Sequence, residues 1–375
     1  MRILYVTTIG GTMSFFEEHF KMLKKEGHVI ELACNSNISK IREPILKLGL
    51  KSYNIPFSRN PLSKGNFVSY KELKKVIDKG NYDIIHCHTP NASVITRLVC
   101  RSYRKKGLKV FYTAHGFHFY KGAPLKNWMF FYIMEWLCSF WTDILITINK
   151  EDYSLAQKSM HAKKIEYIPG VGIDLKRINS LRVNKKLKRE ELGLEVDDFI
   201  LLSVGELNEN KNHITVIKAV NELVNKEKIK NLKYIICGEG FKRKELEKFI
   251  KENNIENNVK LLGFRTDVLE MYKISNCFVF PSYREGLSVS LMEAMASGLP
   301  CIVSKIRGNV DLIDEKGGFK VKANDWKTFL EKLELLKNDS IMREKMGDYN
   351  TRKIKKFSIE NVKNKLLELY ENEKY

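Results

Sequence analysis

The chain has 375 residues, 43% hydrophobic and 29% charged, a composition that excludes a mainly disordered protein and a length that suggests about two domains. Lys and Arg number 65 against 45 Asp and Glu, a net charge of +20, with 26 against 14 in residues 1–175; such a field attracts phosphates on nucleic acid, anionic lipid or nucleotide-linked substrates, or is simply a solvated lysine-rich surface. No run reaches about 18 uncharged apolar residues, the first ten residues lack the apolar core of a secretory signal, and the seven cysteines are scattered without a Cys-x-x-Cys pair, so a reduced, cytoplasmic protein is expected.

In chain order, Arg2–Thr8 reads as a strand, Gly10-Gly11 as a turn and Ser14–Lys25 as a helix with Phe15, Phe16, Phe20 and Leu23 along one side. Strands follow at Val29–Cys34, Tyr82–Cys87, Lys109–Thr113, Asp143–Thr147 and Ile165–Ile168, with helices at Asn91–Arg104 and Lys126–Phe140. The pattern restarts after the Pro/Gly-dense stretch 168–174, with strands at Phe199–Val204, Lys233–Cys237, Val259–Leu262, Cys277–Pro281 and Pro300–Ser304 and a final helix at Ser358–Leu369. Strand–helix alternation of this spacing implies parallel sheets with right-handed crossovers. The fold class expected is α/β, two Rossmann-like domains: residues 1–174, residues 175–355, and a C-terminal helix, 356–375, packing back toward the first domain. In such sheets ligands sit at the carboxyl ends of the strands, and so the residues just after each strand are the candidates.

After the first strand, Gly11 offers close approach to a ligand, but no Gly-x-Gly-x-x-Gly fingerprint is present and no dinucleotide cofactor is expected. Four histidines stand at two strand ends, His86-Cys-His88 and His115-Gly-Phe-His118. A zinc site is the sharp alternative here; without a completing Cys or carboxylate set, structural histidines at His86 and His118 are the plainer reading, and no metal is expected. The aromatic segment Asn127–Trp141 is either a helix buried under the sheet or, with Lys121 and Lys126 beside it, a contact with an anionic membrane. No helix-turn-helix, RNP-like or zinc-finger pattern supports nucleic-acid binding.

The most informative segment is residues 278–301. A strand ends at Pro281, and Glu285-Gly286-Leu287-Ser288 leads into a helix whose first-turn amides and positive dipole end make a diphosphate site. Glu285 and Glu293 flank it, although Ser290-x-x-Glu293 also reads as a capping box. This Glu-x7-Glu spacing resembles that of glycosyltransferase family 4, retaining enzymes of the GT-B fold. The likeness extends in order to Gly205-Glu206-Leu207-x-x-x-Lys211, Gly238-Glu-Gly240, Leu262-Gly263-Phe264-Arg265 and the strand at Asn276–Ser282, and the Tyr112–Pro124 segment is similar to capsule and exopolysaccharide members. The resemblance implies a cleft between the domains and a metal-independent, retaining transfer of a sugar from a nucleotide-sugar donor, UDP-linked, to a free glycan or polyprenyl-diphosphate-linked acceptor. It implies catalytic roles for His115, Glu285 and Lys211. Donor contacts fall to Gly11, Gly238, Phe264, Arg265, Gly286, Leu287, Ser288 and Glu293, and His88 and His118 lie on the acceptor side. One departure stands out: Glu206 occupies the place of the family's arginine. Rival readings are an epimerase or phosphorylase on the same fold, the epimerase turning over donor without acceptor, and a non-enzymatic basic binder of nucleic acid or membrane.

Overall fold

The computed structural model describes residues 1–226 and 228–373. By their contacts the residues form two units, Met1–Gly172 with the chain from Ile359 on, and Ile173–Ser358.

The first unit holds a seven-stranded sheet of β1 (Arg2–Ile9), β2 (Val29–Asn35), β3 (Lys51–Asn54), β4 (Ile84–His88), β5 (Lys109–Ala114), β6 (Ile144–Thr147) and β7 (Lys164–Tyr167), in the order β3-β2-β1-β4-β5-β6-β7. All neighbours run parallel, and the period-2 alternation of each strand feeds two cores. Ile3 and Tyr5 pack with Phe16, Phe20 and Leu23 and with Val362 and Leu366 of the last helix, Ile359–Glu371. Leu4 and Val6 pack with Leu73 and Ile77 of the helix Gly65–Gly80 and with Ile95 and Val99 of the helix Pro90–Cys100.

The second unit repeats the plan with six parallel strands, β8 (Phe199–Val204), β9 (Leu232–Cys237), β10 (Val259–Gly263), β11 (Cys277–Phe280), β12 (Cys301–Ser304) and β13 (Gly318–Val321), ordered β10-β9-β8-β11-β12-β13. In each sheet the chain order reverses once, between β1 and β4 and between β8 and β11. That reversal opens a crevice at the carboxyl ends, the general ligand position of this architecture. All seven cysteines are buried as free thiols. Among the described residues no helix is long and apolar enough to cross a membrane.

Three local differences from the expected elements have plain causes. The start of the Ser14–Lys25 helix is a 3-10 turn, Gly10–Phe16, with regular helix only from Glu17, and Phe15 points to solvent. The aromatic segment is one helix over residues 125–139, but with a π turn at Trp128–Tyr132. The edge strands β3 and β13 were not expected, because their residues are largely polar or part-exposed and carry no apolar run.

Candidate active site

The reversal between β8 and β11 gathers the second unit's candidates. The loop after β8 carries Lys211 and the loop after β11 carries Glu285; Lys211 Nζ lies 2.7 Å from Glu285 Oε1, and both side chains keep a part-exposed edge. The same ammonium sits 4.7 Å from the Phe280 ring centroid. Asn210 ties the two loops together: its amide donates to the Arg284 carbonyl at 2.9 Å, and its own carbonyl accepts from the Tyr283 amide at 2.8 Å. Glu206, the departure from the family pattern, is exposed and accepts a hydrogen bond from Asn208.

Glu285-Gly286-Leu287 leads into the helix Val289–Ala296, whose N-cap is Ser288, its hydroxyl accepting from the Leu291 amide at 3.3 Å. The capping-box reading of Ser290 and Glu293 is therefore corrected: the helix starts two residues earlier than that box requires, and Glu293 bonds elsewhere. Ser288's hydroxyl is committed to the cap, which leaves its backbone as the part available to a ligand. Glu293, largely buried a turn further on, accepts from the Tyr272 hydroxyl at 3.0 Å. Burial raises its pKa, with the Tyr272 hydrogen bond and the Arg177 charge opposing. Behind this loop Arg307, buried, donates from Nε to the Glu285 carbonyl at 3.2 Å. A Cβ on Gly308 (φ 75°) would lie 2.1 Å from the Gly286 carbonyl, so only glycine lets the loop after β12 support the loop after β11.

Gly238 and Phe264 come together at the ends of β9 and β10, where the Gly238 amide donates to the Gly263 carbonyl at 2.8 Å. Phe264 is 71% exposed, an open aromatic face. Arg265 is differently engaged: Nε and one terminal nitrogen fork onto Asp267 at 2.7 and 2.6 Å, which occupies the guanidinium edge that a phosphate would use. Gly238 has φ 155°, and a Cβ there would lie 1.9 Å from the Gly205 carbonyl. Gly238→Ala is accordingly expected to destabilise the protein by about 1–3 kcal/mol in urea unfolding, because two loop backbones would be pushed apart.

In the first unit His115 and His88 are brought together, His88 Nδ1 3.1 Å from His115 Nε2. One nitrogen donates and the other accepts, so the pair fixes one another's tautomer. His115 keeps a partly exposed edge, and burial pulls its pKa down to about 4, so it is neutral at pH 7. His88 is 2% exposed between the Tyr5 and Phe16 rings; the acceptor-side reading of His88 is corrected, since it reaches His115 rather than an incoming molecule. His86 bonds Tyr370 through Nδ1 and Thr113 through Nε2. His118 packs against Phe131, ring centroids 4.7 Å apart and the planes tilted by 32°, in the wall of a largely apolar pocket. Gly11 is half-buried, and a Cβ there would meet only the Ser39 hydroxyl, 2.6 Å away, which can turn aside.

Sequence reasoning missed Tyr272, Arg307, Gly308 and Asp267. Only Asp267, two residues beyond Arg265, carried a visible signal.

Comparison with known proteins gives the family and the fold. A family profile described as "Glycosyl transferases group 1" matches residues 184–353 and one described as "Glycosyl transferase 4-like" matches residues 2–149. EpsD of Bacillus subtilis is 35% identical over 98% of this chain and 96% of its own length. The Escherichia coli UDP-Gal:alpha-D-GlcNAc-diphosphoundecaprenol alpha-1,3-galactosyltransferase is 27% identical over 96% of this chain and 94% of its own. In fold the chain is similar to HepE of Anabaena, solved with UDP and glucose, at TM-score 0.82 and 16% identity over 99% of this chain and 100% of that one.

Proposed function

Since this chain belongs to the group 1 glycosyl transferases, with a 4-like N-terminal half, we propose that it is a retaining, metal-independent enzyme moving a sugar from a UDP-linked donor to a polyprenyl-diphosphate-linked or free glycan acceptor in surface-polysaccharide synthesis. The observation that carries the donor half is the Lys211–Glu285 pair beside the start of the helix Val289–Ala296. A cation and a set of helix-start amides stand where a departing diphosphate develops charge, supplying the stabilisation that a divalent ion would otherwise provide. Glu285 receives hydroxyls of the transferred sugar, Glu293 those of the ribose, and Phe264 with Gly238 borders the base. A diphosphate arriving at Lys211 competes with Glu285 for the ammonium, which frees the carboxylate for the sugar. In this reading no covalent intermediate forms: the leaving diphosphate oxygen takes the acceptor's proton on the same face of the sugar, which retains configuration. His115, neutral at pH 7, acts as a hydrogen-bonding group and not as a charge. The polyprenyl-diphosphate acceptor is supported by the acceptor named for the E. coli relative and by the excess of Lys and Arg in the first unit, which also favours contact with the anionic inner face of a membrane.

A thermal-shift screen against nucleotide sugars tests the donor. A ligand at a hundred times its Kd stabilises the fold by about 2.7 kcal/mol; a screen with no hit among UDP-sugars removes the UDP assignment. Because hydroxyls bind the ionised carboxylate, the raised pKa of Glu293 predicts that UDP affinity weakens on acidification from a higher pH than an ordinary glutamate would give. Glu293→Gln should bind more weakly at neutral pH and lose that acid limb, measured by titration calorimetry between pH 7.5 and 5.

A further inference from the structure

The first unit contains a cavity of about 720 Å³ at the carboxyl ends of β1 and β4, reached by Thr8, Ile9 and Thr89. Its walls are mainly apolar, the helices Gly65–Gly80, Pro90–Cys100 and 125–139 contributing Phe67, Val94, Leu98, Phe130, Phe131 and Met134, and several of the polar groups among them are already paired: Asn66 and Asn91 donate to the Pro61 and Ser58 carbonyls, and the Thr8 and Thr89 hydroxyls bond each other. One carboxylate, Glu135, does reach the wall, but it is compensated: Arg97 binds it at 2.8 Å, the Tyr112 hydroxyl donates to it at 3.0 Å, and the Arg97 guanidinium lies 4.1 Å from the Tyr112 ring centroid. The floor is therefore neutral in sum, and compatible with an apolar occupant.

Two further observations say what kind of molecule enters. The helix 125–139 presents Leu125, Met129, Ile133 and Leu137 on its outer side, 74%, 65%, 49% and 40% exposed, a stripe at four-residue spacing with Lys121 and Lys126 exposed beside it. Its π turn, Trp128–Tyr132, carries Phe130 and Phe131 of the cavity wall, and π turns concentrate at functional positions. The polar end is cationic: Arg59 lines the rim, and Lys71 Nζ stands 4.5 Å from the centroid of Phe67. An apolar cavity with a basic rim, continuous with a helix whose apolar face is bare, fits an amphiphile with a hydrocarbon chain and an anionic head.

We propose that this cavity seats the first isoprene units of the lipid-diphosphate acceptor, with Arg59 and Lys71 beside the diphosphate and the stripe Leu125–Leu137 resting on the lipid surface. The assignment rests on the acceptor reading above and gives it a place in the molecule. Farnesyl diphosphate is the probe, with inorganic pyrophosphate as the chain-free control. Wild type is expected to bind farnesyl diphosphate at least tenfold more tightly than pyrophosphate, read by the fluorescence of Trp128 and Trp136. Phe67→Asp and Leu98→Asp, both partly exposed positions, should cut farnesyl diphosphate binding at least tenfold while the UDP thermal shift stays that of wild type. Equal affinity for the two probes, or unchanged binding in both variants, overturns the cavity assignment. So does binding only to phosphatidylglycerol vesicles, which makes this face a general lipid surface. Isoprenyl binding without a UDP shift in wild type would instead sink the donor reading and leave the cavity standing.

Discussion

Lys211→Ala is expected to lower the rate of sugar transfer by about 10²–10³, with a smaller effect on binding of the intact donor. The ammonium stands between a carboxylate 2.7 Å away and the face of Phe280, so it is held in place before any ligand arrives. Negative charge grows on the leaving diphosphate as the transition state is reached, and a fixed cation there acts mainly on kcat. Glu285→Gln is the companion experiment. The amide keeps the shape and loses the charge, so Lys211 is released from its partner and, in the role proposed for Glu285, the sugar loses an ionised acceptor; a drop of at least about 10² is expected. The pair should be non-additive, because each residue positions the other: the double variant should fall little below the worse single one. Near-wild-type transfer by either variant, measured as UDP release and glycan product together, would remove the enzyme assignment at this site.

Much of this arrangement was legible before any coordinates, for reasons that differ by residue. The strands were readable because parallel sheets covered on both faces need near-continuous apolar runs, as in Phe199–Val204, where reading and structure coincide. Edge strands carry no such demand, and Lys51–Asn54 hid among polar residues. Glu285 and Glu293 were readable because both lie on one continuous loop and helix. What holds them was not: Tyr272 reaches Glu293 from 21 positions away and Arg307 reaches Glu285 from 22, and contacts of that separation leave no local pattern. The capping box at Ser290 misplaced the helix start for a different reason. Both residues have the chemistry, and only the backbone conformation at Ser288 decides. Arg97 and Glu135 lie on different helices, 38 positions apart, and their pairing leaves no local pattern either.

The buried imidazoles make a second large effect expected, on stability. His19, His86 and His88 are buried in the first unit, and burial lowers the pKa of each, that of His19 to about 4 and those of His86 and His88 well below the ordinary value. In the unfolded chain they return to about 6.5. Below that pH the unfolded state binds protons that the folded state refuses, so stability falls as pH drops from about 6.5 toward the folded values. For His19 alone the loss reaches about 3 kcal/mol by pH 4, at about 1.36 kcal/mol per unit. The second unit has one comparable group, His213, lowered to about 4, and Glu293 opposes it, because a raised carboxyl pKa makes the folded state the better proton binder as pH falls. The first unit should therefore melt first on acidification. Urea unfolding between pH 7 and 4.5, followed by limited proteolysis with the cut sites mapped, is expected to show early cleavage within residues 1–172 and a falling midpoint. His19→Gln should flatten the slope. A midpoint that stays level across that range, or cuts that begin in the second unit, would mean that the imidazoles beneath His115 are not held neutral by burial; the tautomer pairing of His88 with His115, which depends on neutral rings, would go with it.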